Sequence, residues 1–220
     1  MRTPTPRTDA VVVFPSCNDS SDTSHPQGTH VDADFARTLP AGCAFRCVVA
    51  DPPWWPSLHA NTKGRTAGPY RAGPQRYYPL LKVEQIEAMR PDTAKKAHLW
   101  LWVLNQHVDW GYRVARAWGF EPQQMLTWCK PGFGTGQFQC NSESVLVCRK
   151  GGPTGNAFGK TGGTWFEWPR GRRSEKPADF FTLVERCSPG PRLEMFARTR
   201  RPGWTAWGNE IAAAMKEDVT

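Results

Sequence analysis

The chain has 220 residues and a formal net charge of +8. That length suits one domain with a sizeable core and is short for two. No apolar stretch approaches a membrane span and the N-terminal MRTPTPRTDA lacks the apolar centre of a signal peptide, so a soluble, intracellular, cytoplasmic protein with no membrane partner is expected.

The charge is unevenly spread. Residues 1–35 carry Arg2 and Arg7 against Asp9, Asp19, Asp22, Asp32 and Asp34, a balance of −3, which leaves +11 on the rest. A basic surface of that size suits a polyanion such as nucleic acid, although charge alone does not single one out. The seven cysteines occur singly, several inside apolar runs such as Val145–Cys148, and read as reduced and mostly buried. Cys43 and Cys47 are followed by no second pair at ligand spacing, so no metal is expected.

Along the chain, residues 1–30 are rich in Thr, Ser, Pro and Asp and predict a flexible tail, with a single domain over 31–220. Apolar runs then alternate with amphipathic ones, the pattern of a layered α/β domain. Phe45–Ala50 predicts a buried strand, Val83–Met89 a short helix and Ala97–Val103 a second strand. Asn105 is the candidate N-cap of a helix over 106–118, closed by Gly119. Gln123–Cys129 and Glu143–Arg149 predict strands flanking the loop 131–141. After the glycine-rich stretch Lys150–Gly163, Ser174 is the candidate cap of a helix to Cys187, with Pro177 in its first turn. Arg192–Ala197 and Thr205–Trp207 predict strands, and Asn209–Lys216 a last helix.

Asp51-Pro52-Pro53-Trp54, at the end of the first strand, carries the chemistry. The exocyclic amino group of adenine or cytosine is a poor nucleophile because its lone pair is delocalised into the ring. Two acceptors aimed at its N–H bonds free that pair. The Asp51 carboxylate can supply one and the Pro52 carbonyl the other, with Pro53 fixing the turn and Trp54 offering an apolar face to the base. Taken alone, the four residues also fit an ordinary Pro-rich turn, and they do not tell adenine from cytosine.

Downstream come Lys176-Pro177, Glu194-Met195-Phe196-Ala197-Arg198, Pro202-Gly203-Trp204 and Gly208-Asn209-Glu210, in that order. With Asp51-Pro52-Pro53-Trp54 ahead of them, residues 45–210 resemble the MT-A70 family of adenine-N6 methyltransferases. The resemblance implies a Rossmann-like methyltransferase sandwich with a central, mostly parallel sheet and a permuted order, catalytic half before donor-binding half. It implies S-adenosylmethionine as cofactor and adenine N6 in nucleic acid as target, with the base flipped out or taken from a single strand. DNA is expected over RNA because the chain reads as a minimal catalytic domain without an added RNA-binding module. Cytosine-N4 methylation and a non-catalytic nucleic-acid-binding partner subunit are the alternatives. By the same likeness Asp51, Lys176, Arg198, Asn209 and Glu210 would meet the donor, and Asp34 or Asp32 its adenine. Two positions depart from the family pattern: Glu175 stands where a His is common, and Arg200-Arg201 where His-Asn is common.

Several basic residues fit contacts to the strand: Lys63, Arg65 and Arg76 in the loop after the motif, and Arg173, Arg200 and Arg201 near the donor half. Each of them also fits a solvated surface. The run Gly132-Phe133-Gly134-Thr135-Gly136 reads as a target-side loop with Asn141 and Glu143 at its far end, a cofactor loop being the other reading.

Overall fold

A computed structural model describes residues 39–55, 80–132, 140–152, 162–171, 175–209 and 211; the expected tail lies outside them. The elements run β1 (Phe45–Ala50), α1 (Val83–Ala88), β2 (Thr93–Val103), a 3-10 turn (Asn105–His107), α2 (Val108–Ala117), β3 (Glu121–Cys129), β4 (Ser142–Lys150), β5 (Trp165–Glu167), α3 (Ala178–Cys187), β6 (Arg192–Met195) and β7 (Trp204–Trp207). The seven strands form one sheet in the order β5-β3-β4-β2-β1-β6-β7. β1 is parallel to β2 and β6, β6 to β7, and β3 to β5, while β4 is antiparallel to both its neighbours. β4 alone therefore runs against the rest. Although β6 comes late in the sequence, it lies directly beside β1.

Alternation along each strand divides the core in two. Val48, Ala50, Leu99, Leu101, Val103 and Leu146 face α1 and α2, while Cys47, Val49, Trp100, Trp102, Val145 and Val147 face α3. Successive side chains on a strand point to opposite faces, so a sheet covered on both sides needs continuous apolar strands. Cys47–Ala50 of β1, Leu99–Val103 of β2 and Val145–Cys148 of β4 are such runs, which makes this a three-layer α/β sandwich of the expected class. Among the described residues no helix is long and apolar enough to cross a membrane.

Local details differ from the sequence reading. Asn105 does not cap α2: it lies in the 3-10 turn, and its Nδ2 donates to Cys140 Sγ at 3.5 Å and Ser142 Oγ at 3.4 Å. The helix proper begins at Val108, and Gly119, with φ of +81°, follows its C-cap as expected. β6 stops at Met195 because Phe196 turns the chain with φ of +61°, a conformation disfavoured in a strand of L-residues. Pro177 sits at the cap of α3 rather than inside its first turn. β5 was not expected; three residues are too few for alternation to register, and pairing with β3 defines it.

At the opposite end of the sheet, Ser188 gathers buried polar groups. Trp100 Nε1 donates to Ser188 Oγ at 2.9 Å, and His98 Nδ1 lies 2.9 Å from the same oxygen. Burial, reinforced by Arg149 and Arg46, pulls the His98 imidazole down to about 4. The ring is neutral at pH 7, so its Nδ1 can accept the Ser188 hydroxyl proton while Oγ accepts from Trp100. Ser188→Ala is expected to remove the hydroxyl that joins Trp100 Nε1 to His98 Nδ1 and to cost ~1–3 kcal/mol in urea unfolding. An unchanged midpoint would show that another acceptor replaces Oγ.

Candidate active site

Six co-directional strands bring their carboxyl ends to one edge of the sheet, and β4, running backwards, brings its first residues to the same edge. Open α/β sheets bind ligands there. Asp51 leaves β1 at this edge, Glu143 pairs with Trp128 near the end of β3, and Phe196 follows β6.

The turn after β1 is tied on three sides. Trp54 N–H donates to the Pro52 carbonyl at 2.9 Å, Leu81 N–H to the Pro53 carbonyl at 2.8 Å, and Trp55 N–H to the Leu81 carbonyl at 2.9 Å. The Trp54 indole runs into the core, donating from Nε1 to the Trp102 carbonyl at 3.1 Å and stacking on His107 with centroids 6.0 Å apart and planes 12° apart. Trp54 is only 6% exposed. It anchors the turn, and its face is not open to a base, contrary to the sequence expectation; the hydrogen bond to Trp102 and the His107 stack draw it inward. The next residue, Trp55, is 45% exposed.

A row of alternating charges starts at Asp51. Lys176 Nζ lies 3.0 Å from Asp51 Oδ2 and 2.9 Å from Glu143 Oε2, and Lys130 pairs with Glu143 Oε1. Each ammonium also sits over an indole, Lys176 4.8 Å from the Trp102 centroid and Lys130 5.0 Å from that of Trp128. Burial pulls Lys176 down, but the Asp51 and Glu143 carboxylates outweigh it and hold its ammonium above the usual lysine value. Burial pushes Glu143 up, and the two lysines outweigh that and hold its carboxyl below the usual range. Both groups are therefore charged at neutral pH, with Lys176 fixed between two anions.

The ends of β6 and β7 form a second cluster beside this row. Glu194 Oε2 is buried without a hydrogen-bond partner, 4.0 Å from Arg201 Nε, too far to bond. Burial, with a contribution from Asp51 and against that of Arg201, pushes the Glu194 carboxyl up to about 7. Ala197 N–H donates to the Trp207 carbonyl at 2.9 Å, and a Cβ on Gly208 would lie 2.3 Å from the Ala197 carbonyl oxygen. Only glycine lets these two backbones approach so closely.

A model of the family described as MT-A70 matches residues 45–210, from the first residue of β1 to beyond β7. The chain belongs to the MT-A70 family. MT-A70 methyltransferases use S-adenosylmethionine. This MT-A70 chain is 24% identical to the type II methyltransferase M.MunI of a Mycoplasma species over 181 residues, 76% of this chain and 78% of that one. It is 28% identical to the N(6)-adenosine-methyltransferase MT-A70-like protein of Drosophila melanogaster over 207 residues, which cover 88% of this chain and 31% of that protein. With the human N(6)-adenosine-methyltransferase catalytic subunit METTL3 it shares 27% identity over 179 residues, covering 76% and 28% of the two chains. The match thus spans less than a third of either longer relative.

The residues of the MT-A70 chain fit such a donor. A buried carboxylate oxygen without a hydrogen-bond partner suits a molecule carrying sulfonium and ammonium charges, and the Gly208 approach suits one held against backbone. Of the residues singled out from sequence, Asp51, Pro52, Lys176, Arg198 and Asn209 lie along the carboxyl edge, with Arg198 and Asn209 half-buried. Asp34, Lys63, Arg65, Arg76, Arg173 and Glu210 lie outside the described residues. Arg200 is exposed. Arg201, expected to meet the strand, turns inward, its guanidinium 3.6 Å from the Phe181 centroid and paired with Glu194. Cation–π attraction and that pairing explain the inward course. The sequence puts Glu143 at the start of a strand beyond the loop and Glu194 within a motif strand, and assigns neither a partner; the acidic residue in each strand is the signal that was available.

Proposed function

We propose that this MT-A70 enzyme methylates adenine N6 in DNA, with the base extruded from its stack or presented in a single strand. The observation that carries the reading is the Asp51 carboxylate held through Oδ2 by Lys176 beside the Pro52 carbonyl. Oδ1 of Asp51 accepts one N6–H, and the Pro52 carbonyl, which keeps a second lone pair beyond its bond to Trp54, accepts the other. This pair of acceptors localises the amino lone pair, and the Asp51 carboxylate offsets the positive charge that develops on N6 as it is alkylated, until N6 gives up one proton. Lys176 keeps the carboxylate in place, so little reorganisation accompanies the reaction. S-adenosylmethionine, when bound, supplies an electrophilic methyl on sulfur. Glu194 would meet its cationic groups, with Arg198, Asn209, Glu210 and Asp34 around the remainder.

DNA is favoured because the relative matched along most of its own length is a type II methyltransferase. Incubating the enzyme with DNA and with RNA and identifying the products by nucleoside mass spectrometry tests the proposal. N6-methyladenine in DNA is the expected product. N4-methylcytosine alone would overturn the choice of base, and modification of RNA alone the choice of polymer.

Glu194 links donor binding to pH. Its carboxyl titrates at about 7, and below that pH it loses the charge that attracts a cationic donor. Affinity for S-adenosylmethionine in calorimetry is therefore expected to fall as pH drops from 8 to 6, and Glu194→Gln to bind more weakly with a flatter profile. A Gln variant with the wild-type pH dependence would place the titrating group elsewhere.

A further inference from the structure

We infer that Trp55 is a stacking platform for a nucleobase of the substrate strand. The inference rests on the function proposed above, since it supplies the contact that an adenine brought to Asp51 requires. A base taken out of its stack loses contact on both faces, and enzymes that extrude bases replace it with aromatic or apolar side chains. Trp54 is not free for that task, being 6% exposed and packed on His107.

Trp55 follows it on the same turn. Consecutive side chains on an extended segment point to opposite sides, so the course of Trp54 into the core sends Trp55 outwards. The backbone at 53–55 is pinned to Leu81 by two hydrogen bonds of 2.8 and 2.9 Å, and the core slot is already filled. The exposed indole is thus carried on a fixed backbone, four residues beyond Asp51.

Among the described residues only Trp55, Leu104 and Trp165 are large apolar side chains left exposed. Leu104 lies at the same edge, just beyond β2, and its carbonyl accepts the N–H of His107, the ring on which Trp54 stacks. Two of the three exposed apolar side chains therefore flank the Trp54 anchor next to Asp51. Asn105, beside Leu104, adds an exposed amide to this lip. An indole face with apolar and amide neighbours fits a flat heteroaromatic ring, and base–aromatic stacking tolerates any base. The ring is that of the target adenine or of its neighbour in the strand; both present the same chemistry.

The test uses the full chain and an oligothymidine carrying a single adenine. A second version replaces that adenine with 2-aminopurine, and a third places 2-aminopurine beside it; fluorescence quenching reports stacking at each position. Trp55→Leu is expected to weaken oligonucleotide binding roughly tenfold, to raise KM more than it lowers kcat, and to relieve the quenching at one of the two positions. That position identifies the stacked base. Trp55→Phe is expected to restore part of both affinity and quenching, which an apolar contact without stacking would not do. S-adenosylmethionine affinity is expected to stay at the wild-type value in both variants, which certifies the fold. Wild-type affinity and quenching in Trp55→Leu, with methylation intact, would overturn the inference alone. A wild-type enzyme that left the adenine unmethylated would overturn the functional proposal beneath it.

Discussion

Asp51→Ala is expected to lower kcat/KM for methylation at least about a thousandfold, equivalent to ~4 kcal/mol of lost transition-state stabilisation. The substitution removes the acceptor that draws on one N6–H and the anion that meets the charge developing on nitrogen. An oriented acceptor in a partly dehydrated site acts more strongly there than water could. Stability is expected to change little, because Lys176 keeps Glu143 at 2.9 Å and Asp51 is itself a quarter exposed. Single-turnover methylation, run beside thermal unfolding of the same preparation, separates the two effects. Turnover near the wild-type rate in a folded Asp51→Ala protein would refute the role assigned to the carboxylate.

Lys176→Met is expected to damage both activity and stability. Met keeps most of the side-chain length and can still lie on the Trp102 ring, but it removes the cation between Asp51 and Glu143. Two carboxylates with little solvent then lack the charge that lay between them. Removing one partner of a buried ion pair costs ~3–5 kcal/mol, and the lower end applies because these side chains keep some exposure and Lys130 still neutralises Glu143. The loss should depend on pH with a definite sign. Lys176 holds the Glu143 carboxyl below its ordinary 4.5; without it that value rises, so acid protonates the carboxylate and relieves the repulsion. Denaturant midpoints of variant and wild type are expected to converge as pH falls from 7 towards 4.5. A constant difference over that range would mean that lost packing, rather than charge, explains the change.

Much of this architecture could be read from residues because burial imposes patterns on sequence. β1 coincides with Phe45–Ala50 because every residue of it but the exposed Arg46 is apolar and buried, as a strand covered on both faces requires. β2 begins at Thr93, four residues before expected, because the polar Lys95 and Lys96 conceal a backbone that extends the strand. Asp51 and Lys176 were each singled out on motif grounds, and they lie 3.0 Å apart. Glu143 was harder to interpret: its contact with Lys176 spans 33 residues and depends on β4 turning back on β3. Trp54 illustrates the reverse difficulty. Its place in the motif suggests a base contact, whereas a hydrogen bond to the backbone of Trp102, 48 residues away, turns it into the core. Periodicity and motifs report what a residue's own segment needs, and such long-range partners leave no trace in either.

The reversed direction of β4 has a consequence for how the site is held. A parallel connection would leave the active edge and return to it from the far side. The link from β3 to β4 instead departs from Lys130 and comes back at Asn141 and Glu143, clasped at its base by the Lys130 amide on the Asn141 carbonyl at 2.7 Å and by the Lys130–Glu143 pair. Both charged anchors, Lys130 and Glu143, belong to the row of charges around Asp51, so the two ends of the connection are fixed by the same contacts that hold Lys176. The direction of β4 thus ties both ends of this connection to the same charged edge that holds Asp51.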